Sequence, residues 1–217
     1  MTYCVAIKVN DGLVFAGDTR TSAGVDDVRT YNKLHTFEYP GDRVLALMSA
    51  GNLATTQAVL NSIKRDIANN ADVNLLNLRH MYDAAEYVGG LSLKSQREAA
   101  QHAHSAQSTQ STVDFRTTLI LGGQIMGEEP ALYLIYPEGN CISASPETPY
   151  IQIGESKYGK PILDRIIRSH VSLEEAARCA LVSLDSTMKS NLSVGPPLDL
   201  VILPRDALSI AHKLRMD

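Results

Sequence analysis

The stretch that decides the fold is Met1-Thr2-Tyr3-Cys4-Val5-Ala6-Ile7-Lys8-Val9-Asn10-Asp11-Gly12-Leu13-Val14-Phe15-Ala16-Gly17-Asp18-Thr19-Arg20. Residues 3–9 alternate, with Val5, Ile7 and Val9 on one face and Cys4, Ala6 and Lys8 on the other. Asn10-Asp11-Gly12 is a turn signal and Leu13 to Ala16 reads as a returning strand, so the chain opens with a β-hairpin. Thr2 stands just ahead of the first strand, with Met1 before it. If Met1 is trimmed, Thr2 carries a hydroxyl and a free α-amine on adjacent carbons. An unperturbed α-amine titrates at about 7.7–8.0, so near neutral pH a useful fraction is already the free base. That amine can take the proton from its own hydroxyl as the hydroxyl attacks a carbonyl.

Two charged residues further on suit the same chemistry. A lysine near the amine, here Lys33, would lower the amine pKa by like-charge repulsion. An aspartate beside that lysine, here Asp18, would hold it charged and in place. Each residue alone has a plainer reading, since Thr at position 2 is common, Asp-x-Arg often closes a turn, and a lone Lys is usually solvated. Together, at these spacings, they are far more specific.

The run from Thr2 through Gly51 resembles the catalytic β subunits of proteasomes and the bacterial HslV peptidase, which are N-terminal-nucleophile hydrolases. The matching elements are the first strand, the hairpin, Asp18-x-Arg20, Lys33, and Ala50-Gly51 entering a helix. The opening Met-Thr-Tyr-Cys-Val-Ala-Ile-Lys, with Asn32-Lys33 and Met48-Ser49-Ala50-Gly51-Asn52, looks closest to the bacterial ancestral β-subunit branch, Anbu. The resemblance implies Thr2 as nucleophile, Asp18 and Lys33 as its electrostatic partners, with Arg20 in the same motif, and the Gly51 amide as oxyanion donor. It also implies a pocket for the residue before the cut formed by Thr21, Tyr31, Ser49 and Leu53.

Proteasome-type sites usually add a Gly-Ser-Gly and an Asp-x-x-Ser-Gly. This chain has Gly154-Glu155-Ser156 at the first place and Ser190-Asn191-Leu192-Ser193-Val194-Gly195 at the second. Ser156, Ser190 and Ser193 are candidates to hydrogen-bond the N-terminal amine. They read equally well as helix caps and loop hydroxyls.

Composition bounds the rest. A chain of 217 residues reads as one domain, 1–217, with room for a substantial core. Its 44% hydrophobic and 20% charged residues are those of a globular protein. A formal net charge of −4 gives no reason to expect nucleic-acid binding. The first apolar run is too short for a signal peptide or membrane span. The three cysteines, Cys4, Cys141 and Cys179, lack metal-ligand spacing and read as reduced thiols in a cytoplasmic protein. His102-x-His104 reads as solvated rather than metal-binding, and no phosphate loop follows a strand, so no cofactor or metal is expected. Cys4 is not terminal after methionine removal and is a poor candidate nucleophile.

Further along, 28–37 and 43–48 read as strands. The first would place Tyr31, Lys33 and His35 on one cleft-facing side. A helix starts at Asn52 and ends at Asn69-Asn70, and a second spans 77–103, broken or weakened at Gly89-Gly90. The polar segment 104–114 reads as an exposed connection. Strands follow near 117–125, 131–137 and 141–145, with Gly122-Gly123 and Glu138-Gly139-Asn140 at turns. Residues 157–168 are amphipathic, Ser172 to Glu175 has capping-box spacing before a helix to about residue 189, and 198–203 is a last strand. That order suggests an α+β fold of two sheets enclosed by two helix layers. The resemblance sharpens it to a four-layer αββα sandwich.

Three functions remain open on these residues. One is a self-compartmentalised threonine peptidase or amidase, a ring or open spiral of many copies acting on peptides, with any accessory ATPase unspecified. The second is an N-terminal-nucleophile amidohydrolase for a small amide. The third is a catalytically silent proteasome-like scaffold.

Overall fold

A computed structural model describes residues 1–22, 28–105 and 113–217. The opening hairpin is present as β1 (Tyr3–Val9) and β2 (Gly12–Asp18), paired antiparallel. Both faces of β1 are covered, and the alternation read from sequence decides what each face meets. Tyr3, Val5, Ile7 and Val9 pack toward one helix layer, whereas Cys4 and Ala6 pack toward a second sheet.

β1 and β2 lie in a five-stranded sheet of order β10-β1-β2-β11-β12, completed by β10 (Tyr150–Gly154), β11 (Leu198–Pro204) and β12 (His212–Met216). The second sheet runs β5-β6-β7-β8-β9 and comprises β5 (Leu34–Tyr39), β6 (Arg43–Gly51), β7 (Thr117–Ile125), β8 (Ala131–Ile135) and β9 (Cys141–Ser143). A two-stranded ribbon of β3 (Arg20–Ser22) and β4 (Val28–Thr30) stands beside them.

Helices α1 (Leu53–Ala68) and α2 (Met81–Ser105) cover the outer face of the second sheet. Helices α3 (Lys160–Ile166) and α4 (Leu173–Ser190) cover the outer face of the first. Between the sheets lies a third apolar cluster that includes Phe15, Ala46, Met48, Ile120 and Val201. The expected αββα layering is therefore observed, with three apolar seams between four layers. Each large aliphatic side chain buried in such a seam stabilises the fold by about 1.5–3 kcal/mol.

Several local expectations need correction. Residues 28–37 are not one strand. They divide into β4 and β5, and the intervening segment 31–33 is held by the Tyr31 amide donating to Thr19 O (2.9 Å) and the Ser49 amide donating to Lys33 O (3.1 Å). Gly89-Gly90 does not break α2. A Cβ at Gly89 would lie 2.0 Å from Gly139 O, so this glycine lets the helix cross the β8–β9 turn closely. Gly122-Gly123 is not a turn but lies inside β7, where the missing side chain at Gly122 makes room for Phe15 and Leu132.

Helix α2 begins at residue 81 rather than 77, and α3 is confined to 160–166, opening with Pro161 in its first turn. β3, β10 and β12 were not expected. The expected connection at 104–114 falls largely on 106–112, outside the described residues. No helix among the described residues is long and apolar enough to cross a membrane.

Candidate active site

The N-terminal end of β1, the C-terminal end of β6 and the start of α1 meet at one cleft of about 300 Å³. Its walls include Thr2, Thr21, Asn32, Lys33, Ser49, Gly51 and Leu53. The peptide unit that joins Thr2 to Tyr3 is held at both its carbonyl and its amide. The Glu155 amide donates to Thr2 O (2.7 Å), and the next amide, Tyr3 N–H, donates to Asp18 Oδ1 (2.9 Å). Gly154 permits the first contact. It has φ +86°, and a Cβ there would stand 2.0 Å from Thr2 O.

Asp18 ends β2 and is 1% exposed. Its Oδ1 accepts the Lys33 ammonium at 2.8 Å, and its Oδ2 lies 3.4 Å from the Gly195 amide. Burial pushes the Asp18 carboxyl above its usual range, against the downward pull of Lys33 and of the Tyr3 and Gly195 amides. Lys33 is also buried, and its Nζ donates to Arg20 O at 2.6 Å. The lysine is thus held at the cleft wall by one carboxylate and one carbonyl.

Gly51 closes β6 with φ +119°, and a Cβ there would stand 2.4 Å from Arg116 O, so only glycine suits the position. Asn52 then caps α1, its side chain accepting the Thr55 amide at 3.1 Å. The N-terminus of a 16-residue helix therefore opens at the cleft, where its partial positive charge favours an anion. A carbonyl oxygen gaining negative charge beside Gly51 would be stabilised there.

The structure brings Thr2, Asp18, Lys33 and Gly51 together, along with Thr21, Ser49 and Leu53. It does not bring the others into the cleft. Tyr31 is absent from the cleft walls, and Asn32 stands there instead. His35 turns back to Asn32 O (3.1 Å), and its imidazole is held below its ordinary pKa, chiefly by burial.

Ser156 is exposed and belongs to a separate groove with Tyr150, Gln152 and Lys160. Ser193 lies in the loop after α4, its amide on Asn191 Oδ1 (3.0 Å), and Ser190 is the exposed last residue of that helix. The loop-hydroxyl reading therefore suits Ser156 and Ser193 better than a place beside Thr2. Arg20 contributes through its backbone, while its guanidinium donates to Leu192 O (2.8 Å) and lies against Gly195.

Thr56, one turn into α1, and Gly154 also stand in the cleft wall, and neither was expected there. For Gly154 the signal was the glycine itself, seated where the family pattern places one. Cys4 is fully buried with its thiol pushed up to about 12 by burial, which removes it as a nucleophile near neutral pH. Among the described residues no group of three or more His, Cys, Asp or Glu side chains could hold a metal, and the side chain of His104 lies outside them.

The sequence matches the family described as "Proteasome subunit" over residues 2–203. A curated relative, "Proteasome subunit beta" of Haloquadratum walsbyi, is 27% identical over 216 residues, covering 97% of this chain and 76% of the relative. Among solved structures, Anbu (ancestral beta-subunit) from Yersinia bercovieri superposes with TM-score 0.88 at 48% identity, covering 99% of this chain and 86% of the other. The structure described as the helical assembly of the Anbu complex from Pseudomonas aeruginosa superposes with TM-score 0.91 at 49% identity, over 99% and 86% of the two chains.

Proposed function

The chain belongs to the proteasome subunit family, and from that premise we propose that it is a threonine peptidase or amidase whose nucleophile is Thr2. The observation that carries this reading is the meeting of Thr2, Lys33 and Gly51 in one cleft, with Asp18 bonded to Lys33.

In the chain as described, Met1 makes the Thr2 nitrogen a peptide amide, which is no base. Removal of Met1 supplies the amine. The nearby Lys33 ammonium then disfavours a second positive charge and keeps that amine unprotonated. Thr2 Oγ attacks a substrate carbonyl carbon while its proton passes to the amine. The Gly51 N–H and the start of α1 stabilise the oxyanion, a donor of this kind contributing about 3–4 kcal/mol to barrier lowering. The C–N bond breaks, the amine proton goes to the leaving nitrogen, and an ester on Thr2 remains. Water, activated by the same amine, hydrolyses that ester and restores the hydroxyl.

Thr21, Ser49 and Leu53 in the cleft suit a medium-sized side chain without strong charge selection. The Pseudomonas aeruginosa relative is described as a helical assembly, which supports a spiral or ring of many copies for this chain, enclosing an otherwise open cleft. We place this assembly in the cytoplasm, with unfolded peptide as substrate. Light scattering tests the assembly, and a monomer or dimer at micromolar concentration would favour a small-amide hydrolase. Hydrolysis of fluorogenic peptides by the wild type, abolished in Thr2→Ala, tests the chemistry. Equal turnover by both would exclude it.

A further inference from the structure

Glu155 stands where the family pattern has serine, and its bonds reach both sides of the site. The residue is buried, at 8% exposed. The carboxylate accepts the Lys157 amide (2.9 Å) and Asn191 Nδ2 (3.0 Å), while its own amide holds Thr2 O (2.7 Å). Its carbonyl accepts Gln152 Nε2 (2.9 Å). The residue is fixed in every direction that matters for Thr2.

Asn191 continues the connection. It follows the last turn of α4, and its Oδ1 accepts the Ser193 amide (3.0 Å). The next carbonyl along, Leu192 O, accepts the Arg20 guanidinium (2.8 Å). At the far end of this short loop, the Gly195 amide faces Asp18 Oδ2 (3.4 Å). Loop 191–195 thus runs from Glu155, which holds Thr2, to Asp18, which holds Lys33.

We propose that Glu155 and Asn191 form a positioning pair that sets the Thr2 backbone and the Asp18 carboxylate relative to each other. Neither side chain acts on the substrate in this account. The catalytic consequence rests on Thr2 being the nucleophile, whereas the structural consequence does not. Displacing a reacting group by about 1 Å costs roughly a hundredfold in rate, so a link of this kind has leverage. The Lys157 amide, foremost, and Asn191 hold the Glu155 carboxyl below its ordinary range. The pair is therefore a carboxylate accepting from an amide, and its polarity can be reversed. In Glu155→Gln/Asn191→Asp, the Gln amide would donate to the Asp carboxylate, which still accepts the Ser193 amide.

The test compares Glu155→Gln, Asn191→Ala and the reversed double variant by two measurements. One is amide hydrogen exchange at positions 155 and 195. The other is the inactivation rate and affinity of a peptide epoxyketone. Each single variant should raise exchange at both amides by about tenfold and lower the maximal inactivation rate about tenfold, with affinity within about twofold. The double variant should restore both to within about threefold of wild type. Unchanged exchange at Gly195 in the single variants would overturn the proposal, as would a double variant no better than either. If the wild type takes no label, exchange alone decides the proposal, and it is the peptidase reading that fails.

Discussion

The Lys33 ammonium lies 2.8 Å from Asp18 Oδ1, and that same oxygen accepts the amide hydrogen of Tyr3, the residue that follows Thr2. One carboxylate oxygen therefore joins the charge pair to the strand that carries the proposed nucleophile. Removing the cation would leave a buried carboxylate without its counter-charge. Lys33→Ala is expected to lower unfolding free energy by about 3–5 kcal/mol. Urea denaturation measures this, and activity should fall to background. A loss below about 1 kcal/mol would mean that the pair is not buried as described.

Gly154→Ala should damage the site without touching any charged group. The new Cβ would stand 2.0 Å from Thr2 O, at a residue with φ +86°. Backbone strain alone predicts a loss of about 1–3 kcal/mol, and displacement of Thr2 should remove activity. A variant with wild-type melting temperature and turnover would contradict the close approach.

The layering and the Thr2/Asp18/Lys33/Gly51 set were legible because period-two patterning and short-range motifs carry them. Val5, Ile7 and Val9 had to face away from Cys4 and Ala6, and the two faces meet different layers. What escaped depends on partners distant in sequence. The Ser49 amide on Lys33 O and the Tyr31 amide on Thr19 O interrupt the strand expected over 28–37 and leave Tyr31 out of the cleft. Gly89 reads as a helix breaker until Gly139 is seen against it. Glu155 reads as a departure from the family pattern until Asn191 and Lys157 are seen to hold it. β12 offers only Leu214 and Met216 as apolar residues, too short an alternation to betray it, and His212 to Arg215 are all exposed.

Thiol chemistry separates Cys4 from the mechanism. Cys4 is fully buried with its thiol pushed up to about 12, whereas Cys141 is half-buried. Brief iodoacetamide treatment near neutral pH should modify Cys141 well before Cys4, and peptidase activity should survive. Loss of activity in step with Cys4 modification would contradict the assignment.

The two buried carboxyls predict opposite pH behaviour. Glu155 is held below its ordinary range, so its stabilising contribution is full above the unfolded value of about 4.3 and is lost as pH falls through the folded value. Asp18 is raised, so its contribution is present below about 3.9 and is lost as pH rises through its folded value. Both the wild type and Glu155→Gln keep Asp18, so their difference isolates Glu155. The wild type's advantage should be greatest above about pH 5 and shrink on acidification. An advantage that grew on acidification would reverse the sign and contradict the bonding.

The most direct test is peptide mapping by mass spectrometry after treatment with a peptide epoxyketone. This reagent closes a ring only with a hydroxyl and a free amine on neighbouring carbons. Met1 should be absent, the adduct should map to Thr2 through both groups, and Thr2→Ala should take none. Retention of Met1 with no adduct, or an adduct on any other residue, would contradict it.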